Sequence, residues 1–255
     1  MKAVFAITIS AMLVASSAWA EISTGERNRL NAAMNVITEF RGTPDKGIPQ
    51  QLWQNAQCVM VLPSVKKAAF VIGGSYGKGV MSCRTAHGWS APVFMEMAKG
   101  SWGLQIGAEE ADLVLLVMNK HGVDKMLQDK ATLGADASVA AGPVGRAGEA
   151  STDLQAKAEI LSYSKANGLF AGIDLSGGVL RPDKDANQDV YGTASPSDVI
   201  AGLVKAPESV TAWSTTLSRD VAATTGQTAP SRTDRQHEAP VVKVPTVPAQ
   251  PNEQK

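Results

Sequence analysis

The sequence predicts an α+β fold, with a curved antiparallel β-sheet or barrel-like core and helices at the N- and C-terminal ends. Apolar residues recur at helical spacing near both ends of the chain, whereas short apolar runs typical of strands cluster in the middle. Glycines and aromatic residues recur within those runs, over 73–85 and 100–107. Glycine weakens a strand, so it usually marks a bulge, a sharp bend or the close approach of another backbone. The series therefore predicts strong curvature.

The first 20 residues have the pattern of an export signal. Lys2 is followed by an uncharged apolar stretch over 3–14, and Ala18-Trp19-Ala20 fits the small-x-small cleavage rule. The apolar stretch is too short to span a bilayer as a stable helix. We therefore expect a signal peptide over 1–20, a mature chain that begins at Glu21, and a periplasmic or secreted protein.

The mature chain is expected to form one domain over 21–225, followed by a tail over 226–255. The tail holds five prolines and no aromatic residue. It has too little apolar surface to offset the entropy lost on ordering, so we expect it to be disordered and available to a protein partner. The whole chain has 24 basic and 24 acidic side chains, and this balance argues against a nucleic-acid-binding protein.

The first element is a helix with strong local signals. Ser23-Thr24-Gly25-Glu26 fits a capping box, and Gly42 and Pro44 mark the end of the helix. Its apolar face consists of Leu30, Ala33, Met34, Ile37 and Phe40. This face either packs on the core or contacts lipid, and the mixed charge of the opposite face favours the core. A second, short helix is predicted from Pro49.

Strands are predicted by the apolar runs that follow. They cover 58–62, where Pro63 is expected to end the strand, then 68–72, 80–85, 89–97, 102–108, 113–118, 137–141, 158–163, 169–175 and 178–180. Residues 86–88 predict a hairpin turn between two of them. Helices are predicted at about 123–132, after the capping signal at Ser195, and over 208–222.

The chain has two cysteines, Cys58 and Cys83. In an oxidising compartment they can form a disulfide. The alternative is a pair of small buried thiols in neighbouring strands.

An ordered series of motifs resembles the SYLF domain family. The motifs are VLPSV at 61–65, GGSYGKGV at 73–80, GWSAP at 88–92, GLQIGAE at 103–109, LGAD at 133–136, AGPVGR at 141–146, YSKANGLFAG at 163–172 and NQDVYG at 187–192. The resemblance covers about residues 30–205. It implies lipid binding without catalysis or a cofactor. Eukaryotic members bind phosphoinositide membranes, and fungal members bind actin filaments. For an exported chain we expect an anionic phospholipid surface and do not expect actin.

Basic and aromatic side chains in the motif-rich region are candidates for the lipid contact. Lysine and arginine attract anionic headgroups, and aromatic rings favour the water boundary of a membrane. The candidates are Lys66, Lys67, Lys78, Arg84, Lys99, Arg146, Tyr76, Trp89 and Trp102. The alternative is a solvated basic face with the aromatic rings in the core. The segment 142–146 is either an anion-binding nest of backbone amides or a tight turn.

A serine hydrolase is an alternative function. Gly73-Gly74-Ser75-Tyr76-Gly77 matches the G-x-S-x-G motif, with Ser75 as nucleophile. That motif needs a helix directly after it, and the sequence from Lys78 does not predict one. A second alternative is an envelope structural or stress protein that acts through protein contacts.

A calcium site is the remaining candidate. Asp183, Asp185, Asn187 and Asp189 supply oxygen ligands at alternate positions, as a calcium loop does. The glycine and the final glutamate of such a loop are replaced by Gln188 and Ala194. The alternative is a polar turn. The two cysteines and three histidines lack zinc-site spacing, so no zinc site is expected.

Overall fold

The computed structural model describes residues 22–43, 47–145 and 158–225, and it describes 69–72, 101–108 and 220–225 by their backbone path only. The predicted signal peptide, the predicted tail and Arg146 lie outside the described residues.

The predicted α+β class is confirmed. In the described part of the chain, eight strands form one curled sheet, a half-barrel with helices near the N- and C-terminal regions. Strands β1 to β8 span Cys58–Thr85, Gly88–Trp89, Val93–Val117, Ala131–Thr132, Val139–Ala141, Ile160–Ala166, Leu169–Gly172 and Val179–Pro182. Helices α1 to α6 span Thr24–Arg41, Gln50–Asn55, Lys120–Met126, Lys184–Tyr191, Pro196–Ile200 and Thr211–Thr225, and a 3-10 turn at Glu208–Val210 precedes the last.

The centre of the sheet is a long antiparallel ribbon made of β1 and β3. Its register runs from Cys58 opposite Val117 to Met81 opposite Val93, and the chain turns at 86–87 as predicted. Beyond this ribbon, β3 pairs with β6 near one end and with β8 near the other. Strand β5 departs from the antiparallel expectation, because it pairs parallel with β6.

Strand β1 continues through Pro63, where the sequence predicted an end. The register with β3 shifts between Leu62 and Val65, so Pro63 lies in a bulge, where its missing N–H does not break the ladder. Ser64 there has a φ of 51°, and its N–H donates to Asp112 Oδ1 at 2.9 Å. The single strands β1 and β3 thus replace several shorter predicted strands.

The β1–β3 ribbon folds back on itself, and two glycines permit the close approach. A Cβ at Gly77 would lie 2.5 Å from Val65 Cγ2, and one at Gly79 would lie 1.9 Å from the carbonyl oxygen of Val61. A disulfide joins Cys58 to Cys83, whose Cα atoms are 3.9 Å apart. The two ends of β1 therefore lie against each other, and the ribbon bends between them.

Alternate residues of β1 contribute to two hydrophobic clusters. Val59 and Val61 pack with residues of α1, α2 and α6, whereas Met60 and Leu62 pack with residues of α3, α5 and β8. Within α1, Leu30 is 3% exposed and Ile37 is fully buried. The apolar face of α1 therefore packs in the core, and the lipid-facing interpretation of this helix is wrong.

Two helices differ from the prediction. Helix α3 begins earlier than expected because Asn119 caps it, with the N–H of Gly122 donating to Asn119 Oδ1 at 2.9 Å. Helix α4 was not predicted, and it occupies the segment expected to be a calcium loop or a polar turn. Among the described residues, no helix combines the length and apolar character that a membrane crossing requires.

Candidate functional site

The ribbon bend, which we define as residues 66–76 of β1 and 98–110 of β3, gathers five of the nine predicted contact residues. These are Lys66, Lys67, Tyr76, Lys99 and Trp102. Pairing of β3 with β6 begins at Asp112, and pairing with β8 ends at Ala98. Between those positions the described strand pairings join β3 to β1 alone. The bend is therefore a two-stranded segment at the end of the folded-back ribbon.

The lysines of the bend interact with exposed residues at the protein surface. Lys67 Nζ lies 3.9 Å from Glu109 Oε2, and both side chains are about half exposed. Lys66 lies opposite Glu110 in the register. Lys99 Nζ donates to the backbone oxygen of Asp174 at 3.0 Å. Exposed pairs of this kind contribute little to stability, so these ammonium groups can exchange their partners for an anionic ligand at small cost.

Tyr76 presents a polar end and an apolar ring at the edge of the bend. Its hydroxyl donates to Glu96 Oε2 at 2.8 Å, and Arg181 pairs with the other oxygen of Glu96. The side chain remains 48% exposed. Partial burial and the hydrogen bond to Glu96 raise the pKa of Tyr76, so the phenol stays neutral at physiological pH.

Lys78 lies just beyond the bend, in an ion-pair cluster that ties three elements together. Its Nζ lies 2.8 Å from Asp183 Oδ2, and Arg29 Nη1 of α1 lies 2.9 Å from the same oxygen. The Asp183 side chain is only 5% exposed. Burial alone would raise the pKa of Asp183, but the hydrogen bonds from Lys78 and Arg29 hold it below its usual value. Lys78 therefore links β1 to α1 and α4.

Arg84 and Trp89 lie at the opposite end of the ribbon from the bend. The Arg84 guanidinium stacks 4.5 Å from the centre of the Trp89 ring. It also donates to the backbone oxygens of Ala56 and Trp53, both at 3.0 Å. Trp89 is 9% exposed and belongs to the core. This pair anchors α2 to the hairpin and is separate from the bend.

Trp102 and Arg146 are the two remaining predicted contact residues. The backbone of Trp102 lies opposite Ile72 in the ribbon bend. Arg146 lies outside the described residues. In the adjoining segment, the N–H of Gly142 donates to the oxygen of Ser162 and the N–H of Gly145 to the oxygen of Gly47, both at 2.9 Å. These amides are already bonded within the protein, which favours the tight turn over the anion nest.

The calcium interpretation is wrong, because its residues lie at the start of α4 and along it. Asp183 caps the helix, and the buried Asn187 exchanges hydrogen bonds with the backbone of Phe94. Asp185 and Asp189 are exposed on the helix. The described residues contain no group of three His, Cys, Asp or Glu side chains placed to hold a metal ion.

The nucleophile elbow expected of a serine hydrolase is not formed at Ser75. This residue lies inside the continuous strand β1, opposite Lys99, and no helix follows it. His121 Nδ1 contacts Glu159. Asp112 Oδ1 accepts from the backbone N–H of Ser64.

Sequence reasoning missed the partners of Lys78 and Tyr76. Asp183 is 105 positions from Lys78 and 154 from Arg29, and no local pattern indicates such pairs. One local signal was available, since Asp183 precedes a helix that it caps through the N–H of Ala186.

Comparison with known proteins identifies similar sequences. Residues 98–220 match a family model, Ysc84, described as "Las17-binding protein actin regulator". The chain is 35% identical over 178 residues to SH3 domain-containing YSC84-like protein 1 of Xenopus laevis, which covers 67% of this chain and 53% of that protein. The human protein of the same name is 33% identical over 177 residues, covering 67% of this chain and 52% of that protein.

A yeast relative extends the comparison. LAS seventeen-binding protein 3 of Saccharomyces cerevisiae is 32% identical over 171 residues, which cover 65% of this chain and 37% of that protein. The chain thus spans about half the length, or less, of the curated relatives that it matches.

Proposed function

Since the chain belongs to the Ysc84 (SYLF) family, we propose that it is a non-catalytic binding protein whose ligand is an anionic phospholipid surface. The observation that carries this proposal is the ribbon bend. Lys66, Lys67, Lys99 and the half-exposed Tyr76 lie together there, on a two-stranded segment. Lysines and an amphipathic aromatic ring are the side chains suited to a headgroup layer.

The lysines supply the electrostatic part of the binding. Near an anionic membrane each lysine contributes about 1 kcal/mol, so three contribute about 3 kcal/mol. Their attraction is screened by salt over about 10 Å at 0.1 M. Lys78 and Arg84 are not included, because one is paired with the buried Asp183 and the other with the backbone of α2.

The proposal includes a location outside the cytoplasm. The predicted signal peptide would direct the chain there, and the Cys58–Cys83 disulfide suits an oxidising compartment. Such a location would bring the protein into contact with a membrane surface, but not with actin.

A protein partner is the second candidate function. The yeast relative is named for binding LAS seventeen, and the matched family model is described as "Las17-binding protein actin regulator". The proline-rich sequence of 226–255 is the segment of this chain that we would expect to recruit such a partner. This candidate predicts binding that requires the tail and no lipid.

Sedimentation with vesicles tests the proposal. We expect a Lys66→Gln/Lys67→Gln/Lys99→Gln variant to bind vesicles containing phosphatidylglycerol about two orders of magnitude more weakly than the wild type, since each 1.4 kcal/mol is tenfold. A matched control changes the same charge elsewhere, at three exposed lysines: Lys120, Lys130 and Lys184.

The outcomes separate the candidates. Equal binding by both variants would show that the lysines of the bend are only a solvated face. If the wild type binds no vesicle of any composition, the lipid function is wrong. A pull-down that depends on residues 226–255 would then favour the protein partner.

A further inference from the structure

We propose that the ribbon bend enters the lipid–water interface, so that the apolar segments 68–73 and 100–108 contact the acyl chains. This inference rests on the proposed function and deepens it. Adsorption through lysines alone would leave the protein on the headgroups, whereas interfacial entry adds an apolar contact that salt does not screen.

The composition of the bend is the first argument. No charged residue lies between Lys67 and Lys78 on one arm, or between Lys99 and Glu109 on the other. The register places Phe70 opposite Ile106 and Ile72 opposite Trp102. Large apolar residue types are therefore concentrated on both arms at the same height of the ribbon. We call these four positions, Phe70, Ile72, Trp102 and Ile106, the apolar level.

The place of the bend in the fold is the second argument. Strand β3 has β8 as a second neighbour over 95–98 and β6 over 112–117, but over 99–111 the described pairings join it only to β1. The positions that flank the apolar level are exposed on both arms, namely Ala68, Gly74, Ala98 and Gly100. An apolar sequence in a segment that extends beyond the layered core is typical of a surface that meets a membrane or another protein.

The residues next to the apolar level favour a membrane over a protein groove as the binding partner. Lys66, Lys67, Lys99 and Tyr76 border the apolar level, and Glu110 and Glu109 lie opposite the first two lysines. Lysine stems and tyrosine rings can lie along apolar surface while their polar ends stay in water. This order, from apolar residues to an aromatic and charged border, matches the order of layers in a bilayer leaflet.

The depth of entry is limited by the backbone. The outer edges of a two-stranded ribbon carry N–H and C=O groups without strand partners, and hydrocarbon cannot satisfy them. The bend is therefore expected to stop at the boundary of headgroups and acyl chains, about 5–10 Å deep, which is typical of interfacial elements.

A single apolar substitution tests the inference on the full chain. Phe70→Ser should weaken binding to phosphatidylcholine/phosphatidylglycerol vesicles by about tenfold or more, and the deficit should persist at high salt. Leu203→Ser is the matched control, because Leu203 is 76% exposed and lies outside the bend. It should bind as the wild type does, and circular dichroism should show that both variants are folded.

Fluorescence quenching gives a second measurement that does not depend on Phe70→Ser folding. Vesicles with brominated acyl chains should quench the emission of the wild type, and Trp102→Phe should lose that quenched component. Wild-type binding without Trp102 quenching, or full binding by folded Phe70→Ser, would overturn the inference and leave the lipid function standing. Absence of wild-type binding to every vesicle would overturn both.

Discussion

The Cys58–Cys83 disulfide gives a quantitative test of the folded-back ribbon. It joins residues 25 positions apart, both buried. For a loop of about 25 residues, the loss of chain entropy in the unfolded state corresponds to about 3.5 kcal/mol at 25 °C. We expect reduction to lower the free energy of unfolding by that amount. For a domain of this size the melting temperature should fall by about 10 °C.

Urea denaturation of the oxidised and reduced protein measures this difference. The midpoint should fall on reduction, and the m-value should rise because the unfolded chain becomes less compact. Cys58→Ala/Cys83→Ala is the control. Reductant should not change its unfolding, and its free energy of unfolding should lie below that of the reduced wild type, since both sites are buried.

Two results would refute the reasoning. Equal midpoints with and without reductant would mean that the bond does not constrain the unfolded chain. Titration of two free thiols in folded protein recovered from the envelope would mean that the ends of β1 are not bonded there.

Three further substitutions and one sequencing measurement have defined outcomes. Asp183→Asn should lower the free energy of unfolding, measured in denaturant, by about 2–4 kcal/mol, because Lys78 and Arg29 lose their shared carboxylate. Since the pKa of Asp183 is lowered in the folded protein, this difference should be present above about pH 4 and should vanish as the pH falls through the lowered pKa. Gly79→Ala should cost about 1–3 kcal/mol in thermal unfolding, because its Cβ would meet the backbone of Val61, and an unchanged melting temperature would contradict the fold-back. Ser75 lies within a continuous strand and forms no nucleophile elbow, so Ser75→Ala should leave any esterase activity unchanged; loss of such an activity with the fold preserved would support the hydrolase. N-terminal sequencing of envelope protein should begin at Glu21, and an intact chain in the cytoplasm would contradict export.

Local signals in the sequence predicted much of the fold. The first helix was predicted because its cap, its apolar face and its terminating glycine are neighbours in sequence, and Ser23 Oγ accepts from the N–H of Glu26 at 3.4 Å. The glycines predicted curvature and close approach, and Gly77 and Gly79 lie where β1 meets itself. Pro63 misled the prediction, because a bulge tolerates a proline that a regular strand does not.

The candidate site was predicted in part. Charge and aromatic character identified the residues of the bend, but the same criteria also selected Arg84 and Trp89, which stack on each other at the other end of the ribbon. Lys78 is distinguished from Lys66 only by its partner Asp183, which is 105 positions away. Pairs of this kind depend on tertiary contacts, so a single sequence does not reveal them.

The register of the ribbon has a consequence for the order of folding. Met81 pairs with Val93, only 12 positions along the chain, whereas Cys58 pairs with Val117, 59 positions along. Because closing a longer loop costs more entropy, the hairpin should nucleate at the turn at 86–87 and zip toward the chain ends. The zipping strands pass through the bend before Cys58 reaches Cys83. Oxidation of the two thiols should therefore be a late event, which marks the completed ribbon.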